Sequence, residues 1–225
     1  MKRKRLYLID GAGFYFRAFY AIRGRFTAPD GTPTNAIYGF ARMCEKIIRE
    51  EKPDALAIAL DSKEKTFRHE MYADYKSHRP KMPEELSVQL PYIERFIEAY
   101  NIAVLKKPGL EADDLIGCAA IKAAKKGYDV VVVSGDKDLM QLVGERIEMF
   151  DPLKEKWIGQ QEVKEKFGVE PDRVVEVMGL MGDSSDNIPG VPGIGEKTAQ
   201  KLIAKYDDIE NLLKHAGDIE KPKLR

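Results

Sequence analysis

The chain has 225 residues, 44% hydrophobic and 33% charged, a composition that fits a soluble globular protein of one substantial domain with at most a small appendage. Its 37 basic and 37 acidic residues cancel, so net charge alone names no partner. There is no apolar run of membrane-spanning length and no signal-peptide pattern behind the basic opening Met1–Arg5. Cys44 and Cys118 lack metal or disulfide spacing, so membrane and secreted disulfide classes are excluded and a bacterial-type cytoplasmic monomer is expected.

Arg5–Asp10 is a short apolar strand ending on an Asp, and Gly11-Ala12-Gly13 then turns into a helix carrying Phe14, Phe16, Phe19 and Tyr20. A dinucleotide-binding turn is excluded, because the third glycine of GxGxxG is missing and Asp10 would repel a pyrophosphate. Ile37, Phe40, Ala41, Cys44, Ile47 and Ile48 predict an amphipathic helix over 34–51, closed by Pro53. Residues 55–60 form a continuous apolar strand, followed again by an Asp, Asp61. The stretch 62–82 is rich in Lys, Arg, His and Tyr, poor in aliphatics, and too long for a mere connector.

Helical periodicity returns over 84–100, a short strand follows at 102–105, and a helix is expected over 112–126. Asp129–Ser134 has the β-branched, wholly apolar character of a buried parallel strand and runs out into Gly135-Asp136-Lys137-Asp138. Another strand is expected at 147–150. Beyond Asp172 the composition shifts to helix and glycine turn, with helices over 174–181, 196–205 and 208–215 around a Gly/Pro-rich segment. The alternation predicts a three-layer α/β fold with a mostly parallel sheet over 1–181, followed by a smaller helical module over 182–225.

Sites in such sheets lie beyond the carboxyl ends of the strands, which is where Asp10, Asp61, Asp136 and Asp138 fall. Glu111, Asp113 and Asp114 open the 112–126 helix. Alone, such a trio merely suits the positive end of a helix dipole. With Asp183 and Asp186 added, acids from several independent segments exceed what one ion needs, and all-oxygen ligands suit hard cations. Two ions about 4 Å apart can clamp a phosphodiester, one activating water and the other stabilising the departing oxygen. Setting these nine acids aside leaves 28 acids against 37 bases, a basic surround suited to a phosphate backbone. Lys76 and Arg79, one helical turn apart, can face one phosphate while Tyr72 and Tyr75 offer a stacking surface. The glycines of 190–199 let backbone N–H groups at a helix start approach a phosphate without reading bases.

The stretches Leu8-Ile9-Asp10-Gly11, Phe16-Arg17-Ala18-Phe19, Tyr72–Arg79, Glu111-Ala112-Asp113-Asp114, Ser134-Gly135-Asp136-Lys137-Asp138 and Gly182–Ala199 together resemble the 5′-nuclease domains of bacterial DNA polymerase I, within the wider flap-endonuclease family. The resemblance implies cleavage of 5′ flaps, nicks and 5′ ends in DNA with two Mg²⁺ ions, or Mn²⁺, beside a polymerase in the same chain or in trans. It implies a first metal centre at Asp10, Asp61, Glu111 and Asp113, and a second at Asp114, Asp136, Asp138, Asp183 and Asp186. It makes 62–82 a helical arch in which Lys76 and Arg79 meet the scissile phosphate and Tyr75 stacks on a base, with Arg17 another phosphate contact. Gly190, Gly193, Gly195 and Lys197 then belong to a helix–three-turn–helix that grips duplex DNA and can hold K⁺. The family's domain continues through further helices, so the module ending at Arg225 is expected to be truncated. The competing expectations are a DNA-binding scaffold that does not cut and a PIN-like metal-dependent ribonuclease.

Overall fold

The computed structural model describes residues 3–22, 24 and 26–219; the last six residues of the expected 182–225 module lie outside them. Six strands, β1 (Arg5–Asp10), β2 (Ala55–Ala59), β3 (Ala103–Leu105), β4 (Asp129–Val133), β5 (Ile147–Asp151) and β6 (Lys156–Ile158), form one sheet in the order β3-β2-β1-β4-β5-β6. All pairings are parallel except β5 with β6. The helices around it are α1 (Gly11–Ala21), α2 (Asn35–Lys46), α3 (Phe67–Met71), α4 (Glu84–Ser87), α5 (Leu90–Ala99), α6 (Ala112–Lys125), α7 (Gln160–Phe167) and α8 (Val174–Met181). A two-stranded hairpin, β7 (Gly182–Asp183) and β8 (Ile188–Pro189), leads to α9 (Glu196–Tyr206) and α10 (Ile209–Lys214). Among the described residues no helix is long and apolar enough to cross a membrane.

Period-two alternation sorts the strand residues between two cores. Tyr7, Ile9, Ile58, Val131 and Val133 pack with Phe14, Phe40, Ile93 and Ile97 from α1, α2 and α5 on one face. Leu8, Ala57, Ala59, Val130 and Val132 pack on the other with Ile116, Val163, Val177 and Ile203 from α6, α7, α8 and α9. The second core therefore continues into the C-terminal helices without a break. Burial on both faces is why β4 carries four consecutive valines. The connection from β1 to β2 runs over the first face and the one from β3 to β4 over the second. The strand order therefore reverses between β1 and β4, and a crevice opens at their carboxyl ends.

The predicted strands fall close to those observed, as does the 34–51 helix, whose last turn, Ile47–Glu51, widens into a π-helical turn before Lys52 adopts φ 47° ahead of Pro53. The sequence reading assigns no element between Asp151 and Asp172, where β6 and α7 lie. α7 was nonetheless legible, ending on Gly168 at φ 71°, the left-handed conformation that favours glycine.

α2 has no side-chain cap of its own. Gln89, fully buried between α4 and α5, supplies one from 53 residues away: its Oε1 accepts from Ala36 N (2.8 Å) and Ile37 N (3.1 Å), while its Nε2 donates to Asn35 Oδ1 and to the Glu85 carbonyl. Gln89→Leu leaves two helix donors in an apolar environment and is expected to lower unfolding free energy by about 2–4 kcal/mol in urea titration. A change under about 0.5 kcal/mol would show that Gln89 is not the cap.

Candidate metal and phosphate site

The crevice is an acidic pocket lined by Asp10, Asp61, Glu111, Asp113, Asp136, Asp138, Asp183 and Asp186, with Arg17, Lys76, Arg79 and Lys137 among them. Local backbone needs place several of these acids. Asp10 caps α1, accepting from Gly13 N at 2.8 Å, and a side chain at Gly13 would overlap its carboxylate. Its other oxygen accepts from Ser134 Oγ at 2.9 Å, and Ser134 Oγ accepts from Asp136 N, which joins the ends of β1 and β4. Asp61 accepts from Ala112 N at 2.8 Å, tying the start of α6 to the end of β2. Asp183 accepts from Ser185 N and lies 3.3 Å from Lys137 Nζ.

Crowding shows in the proton affinities. Burial, and then the neighbouring charges of Asp136 and Asp61, pushes Asp10 upward against its bonds to Gly13 and Ser134. Burial and the charges of Asp10, Asp136 and Asp61 raise Asp113 to about 8; burial and Asp136 raise Asp138 to about 6. Asp183 moves the other way: burial opposes it, but the Ser185 N–H and the Lys137 ammonium together outweigh that cost.

One predicted ligand falls outside this lining. Asp114 makes a paired contact with the Arg68 guanidinium (2.8 and 2.9 Å) and accepts from Glu111 N, completing a capping box, and Arg68 holds its carboxyl below the usual range. Its acidity is used at the helix start and by Arg68 of the arch. Arg68 was not predicted. Its signal was present: an arginine after the helix-initiating Thr66, in a stretch otherwise without apolar packing.

The 62–82 segment departs from a helical arch. Only α3 is helical; Tyr72–Arg79 runs in turns, and Lys76 sits at φ 55° with its N–H donating to the Asp186 carbonyl. With no aliphatic stripe, the segment folds down through its polar groups. Lys76 Nζ lies 2.9 Å from Glu111 and 3.7 Å from Asp186, and Arg79 pairs with Asp186. Lys76 and Arg79 thus both line the pocket, though not by helical spacing.

Tyr75 is 4% exposed and its hydroxyl lies between Glu111 (3.0 Å) and Asp186 (2.9 Å), with one proton to donate to either, so in this conformation it offers no stacking surface. Tyr72 is partly exposed and available. Asn187, at φ 58°, donates to the Asp74 carbonyl and to Ser77 Oγ, a second tie from arch to hairpin.

The glycines of the turn have three different jobs. A side chain at Gly190 would overlap the backbone of Met181 and Gly182, so this glycine serves the β7–β8 crossing. Gly193 has φ 85°, and Gly195, at the start of α9, faces open space beside exposed Lys197.

Oxygen donors alone, eight carboxylates deep, are the ligand set of a hard divalent cation, and Asp138 Oδ1 is buried without a hydrogen-bond partner. The residues fit such ions, but as a lined pocket and not a closed cage. Among the described residues no three His, Cys, Asp or Glu side chains are grouped closely enough to hold an ion as they stand. Lys76, Arg79 and Lys137 reach between the acids instead.

Two family models cover the chain: 5′-3′ exonuclease, N-terminal resolvase-like domain, over residues 5–168, and 5′-3′ exonuclease, C-terminal SAM fold, over 169–225. A 5′-3′ exonuclease of Aquifex aeolicus is 43% identical over 212 residues, covering 94% of this chain and 73% of the relative. DNA polymerase I of Bacillus subtilis is 42% identical over all of this chain, which spans 26% of that relative's length. In fold, a bacteriophage T5 flap endonuclease solved as a pseudo-enzyme-product complex with DNA and metal ions superposes with TM-score 0.79 at 20% identity, over 98% of this chain and 82% of the other. On its sequence and its fold, the chain belongs to the 5′-3′ exonuclease family and is a 5′ nuclease.

Proposed function

We propose that the chain hydrolyses DNA phosphodiesters at 5′ flaps, nicks and 5′ ends, selecting them by structure, with divalent cations, Mg²⁺ or Mn²⁺, held by the pocket carboxylates. The carrying observation is the convergence of acids from five separated segments on one pocket with Lys76, Arg79 and Arg17. Asp10, Asp61, Glu111 and Asp113 would hold one ion and Asp136, Asp138, Asp183 and Asp186 the second; Asp114 supports the site through Arg68. Ions there would supply a hydroxide nucleophile and stabilise the departing oxygen. Lys76 and Arg79 bind the non-bridging oxygens of the scissile phosphate, exchanging their carboxylate partners for it, and Arg17 takes a phosphate at the rim. Peptide N–H groups at the start of α9 grip the duplex by its backbone, so selection follows shape and not sequence. The polymerase I relatives suggest a polymerase as partner, in the same chain or in trans.

A labelled 5′-flap DNA tests this directly. Cleavage is expected with Mg²⁺ and should vanish in excess chelator while binding persists, because the arch and hairpin contacts need no metal. Undiminished cutting in chelator would remove the metal-dependent reading. The hairpin adds a separate expectation. Gly195→Val holds the α9 N–H groups away from the phosphate without strain, so KM should rise about 5–10-fold, the scale of one lost hydrogen bond, at an unchanged single-turnover rate. Gly193→Val should also lower the unfolding midpoint, because a β-branched residue is strained at φ 85°. Equal losses of rate and affinity in Gly195→Val would mean that the hairpin positions the scissile bond as well.

A further inference from the structure

Arg17 lines the acidic pocket from α1, and its guanidinium is held by a residue outside the predicted site. Arg17 Nη1 donates to Oδ1 of Asp151, the last residue of β5, at 3.2 Å. The Asp151 side chain is 6% exposed, against 24% for Arg17. The same Oδ1 accepts from Leu153 N at 3.0 Å, and Oδ2 lies 3.7 Å from Lys154 Nζ. The Leu153 bond alone is an ordinary turn contact, which an Asn would make equally well. It gives no reason to bury a full negative charge beside an arginine distant in sequence, whereas pairing with that arginine does.

Gly135 adds an independent constraint. A methyl group built there would overlap Nη2 and Cζ of Arg17, so the guanidinium occupies the space that any side chain at 135 would fill.

We infer that Asp151 is a positioning residue for the substrate: with the bare backbone of Gly135, it fixes the Arg17 guanidinium at the pocket rim, ready to receive a DNA phosphate. The inference rests on the reading of the pocket as a phosphodiester site. A free arginine loses rotamer entropy when it binds, and fixing it in advance removes that cost from binding. Asp151 occupies Nη1, and a phosphate takes other donors of the five-donor fork.

The test is a double-mutant cycle on the 5′-flap substrate. It measures kcat/KM with Mg²⁺, DNA affinity in chelator, and the unfolding midpoint for Arg17→Ala, Asp151→Asn, Gly135→Ala and each of the latter two combined with Arg17→Ala. Asp151→Asn keeps the Leu153 bond but removes the charge. Gly135→Ala displaces only the far end of a flexible side chain. Each is expected to lower kcat/KM about 10–100-fold, the scale of a misplaced arginine clamp, and to weaken affinity in chelator with little change in midpoint. In the Arg17→Ala background neither should have any further effect. Losses that repeat in full without Arg17, or an Asp151→Asn protein with parent activity and affinity, would overturn the inference while leaving the nuclease reading standing. A parent chain that neither binds nor cuts the flap would remove both.

Discussion

Lys76→Ala is expected to slow single-turnover flap cleavage by about 10²–10³-fold, the scale of one lost preorganised electrostatic contact. Its ammonium already lies at the pocket, 2.9 Å from Glu111, so on the proposed reading it has only to exchange that carboxylate for the phosphate on which negative charge grows during attack. The same pairing gives the side chain a structural role that its polar surroundings in the sequence do not suggest. Removing it leaves Glu111 and Asp186 facing each other less well compensated, at a cost of about 1 kcal/mol in unfolding free energy. Lys76→Arg should restore the stability but only part of the rate, since a planar fork does not replace a compact ammonium. Parent-like cutting by Lys76→Ala would leave the arch as a strand guide only.

Asp113→Asn separates catalysis from stability in the opposite sense. On the proposed reading the rate should fall by at least about 10²-fold, because one of the charges that would hold a cation is gone. The fold, however, should become less sensitive to alkali. Asp113 titrates near 8 because it is buried among Asp10, Asp136 and Asp61. Its folded value lies above the ordinary carboxylate value, so stability present below about pH 4 is lost as pH rises through 8. In chelator, the parent's unfolding midpoint should decline across that window, and that of Asp113→Asn should decline less. Identical pH profiles for the two proteins would show that the charge on Asp113 is not opposed in the folded state.

Much of this architecture was legible because its signals are local. The valine run of β4, the strand-end aspartates and the stripe on α2 each report a burial pattern or a cap that neighbouring residues decide. The carboxylates were legible for a topological reason: parallel strands deliver their ends to one edge of the sheet. What escaped is long-range. Nothing near Gln89 says that it caps a helix 53 residues earlier, and nothing near Tyr75 says that its ring turns inward to Glu111. Nothing near Asp114 says that Arg68, 46 residues away, pairs with it. The arch was misread as helical because Tyr72, Tyr75, Lys76 and Arg79 have helical spacing. That spacing has no force where no apolar face is buried.

The crossing at Gly182 and Gly190 has a mechanical consequence. With backbone packed on backbone and no side chain between, β7 and β8 cannot slide past each other without collision. Asp183 lies within this clamp and Asp186 in its loop, while Gly193 and Gly195 leave from its other end towards α9. On the proposed reading, the clamp is a rigid coupling between a grip and a blade. A duplex seated at α9 is then held at a set distance from the acids, and the position of the cut is fixed by that length of folded chain.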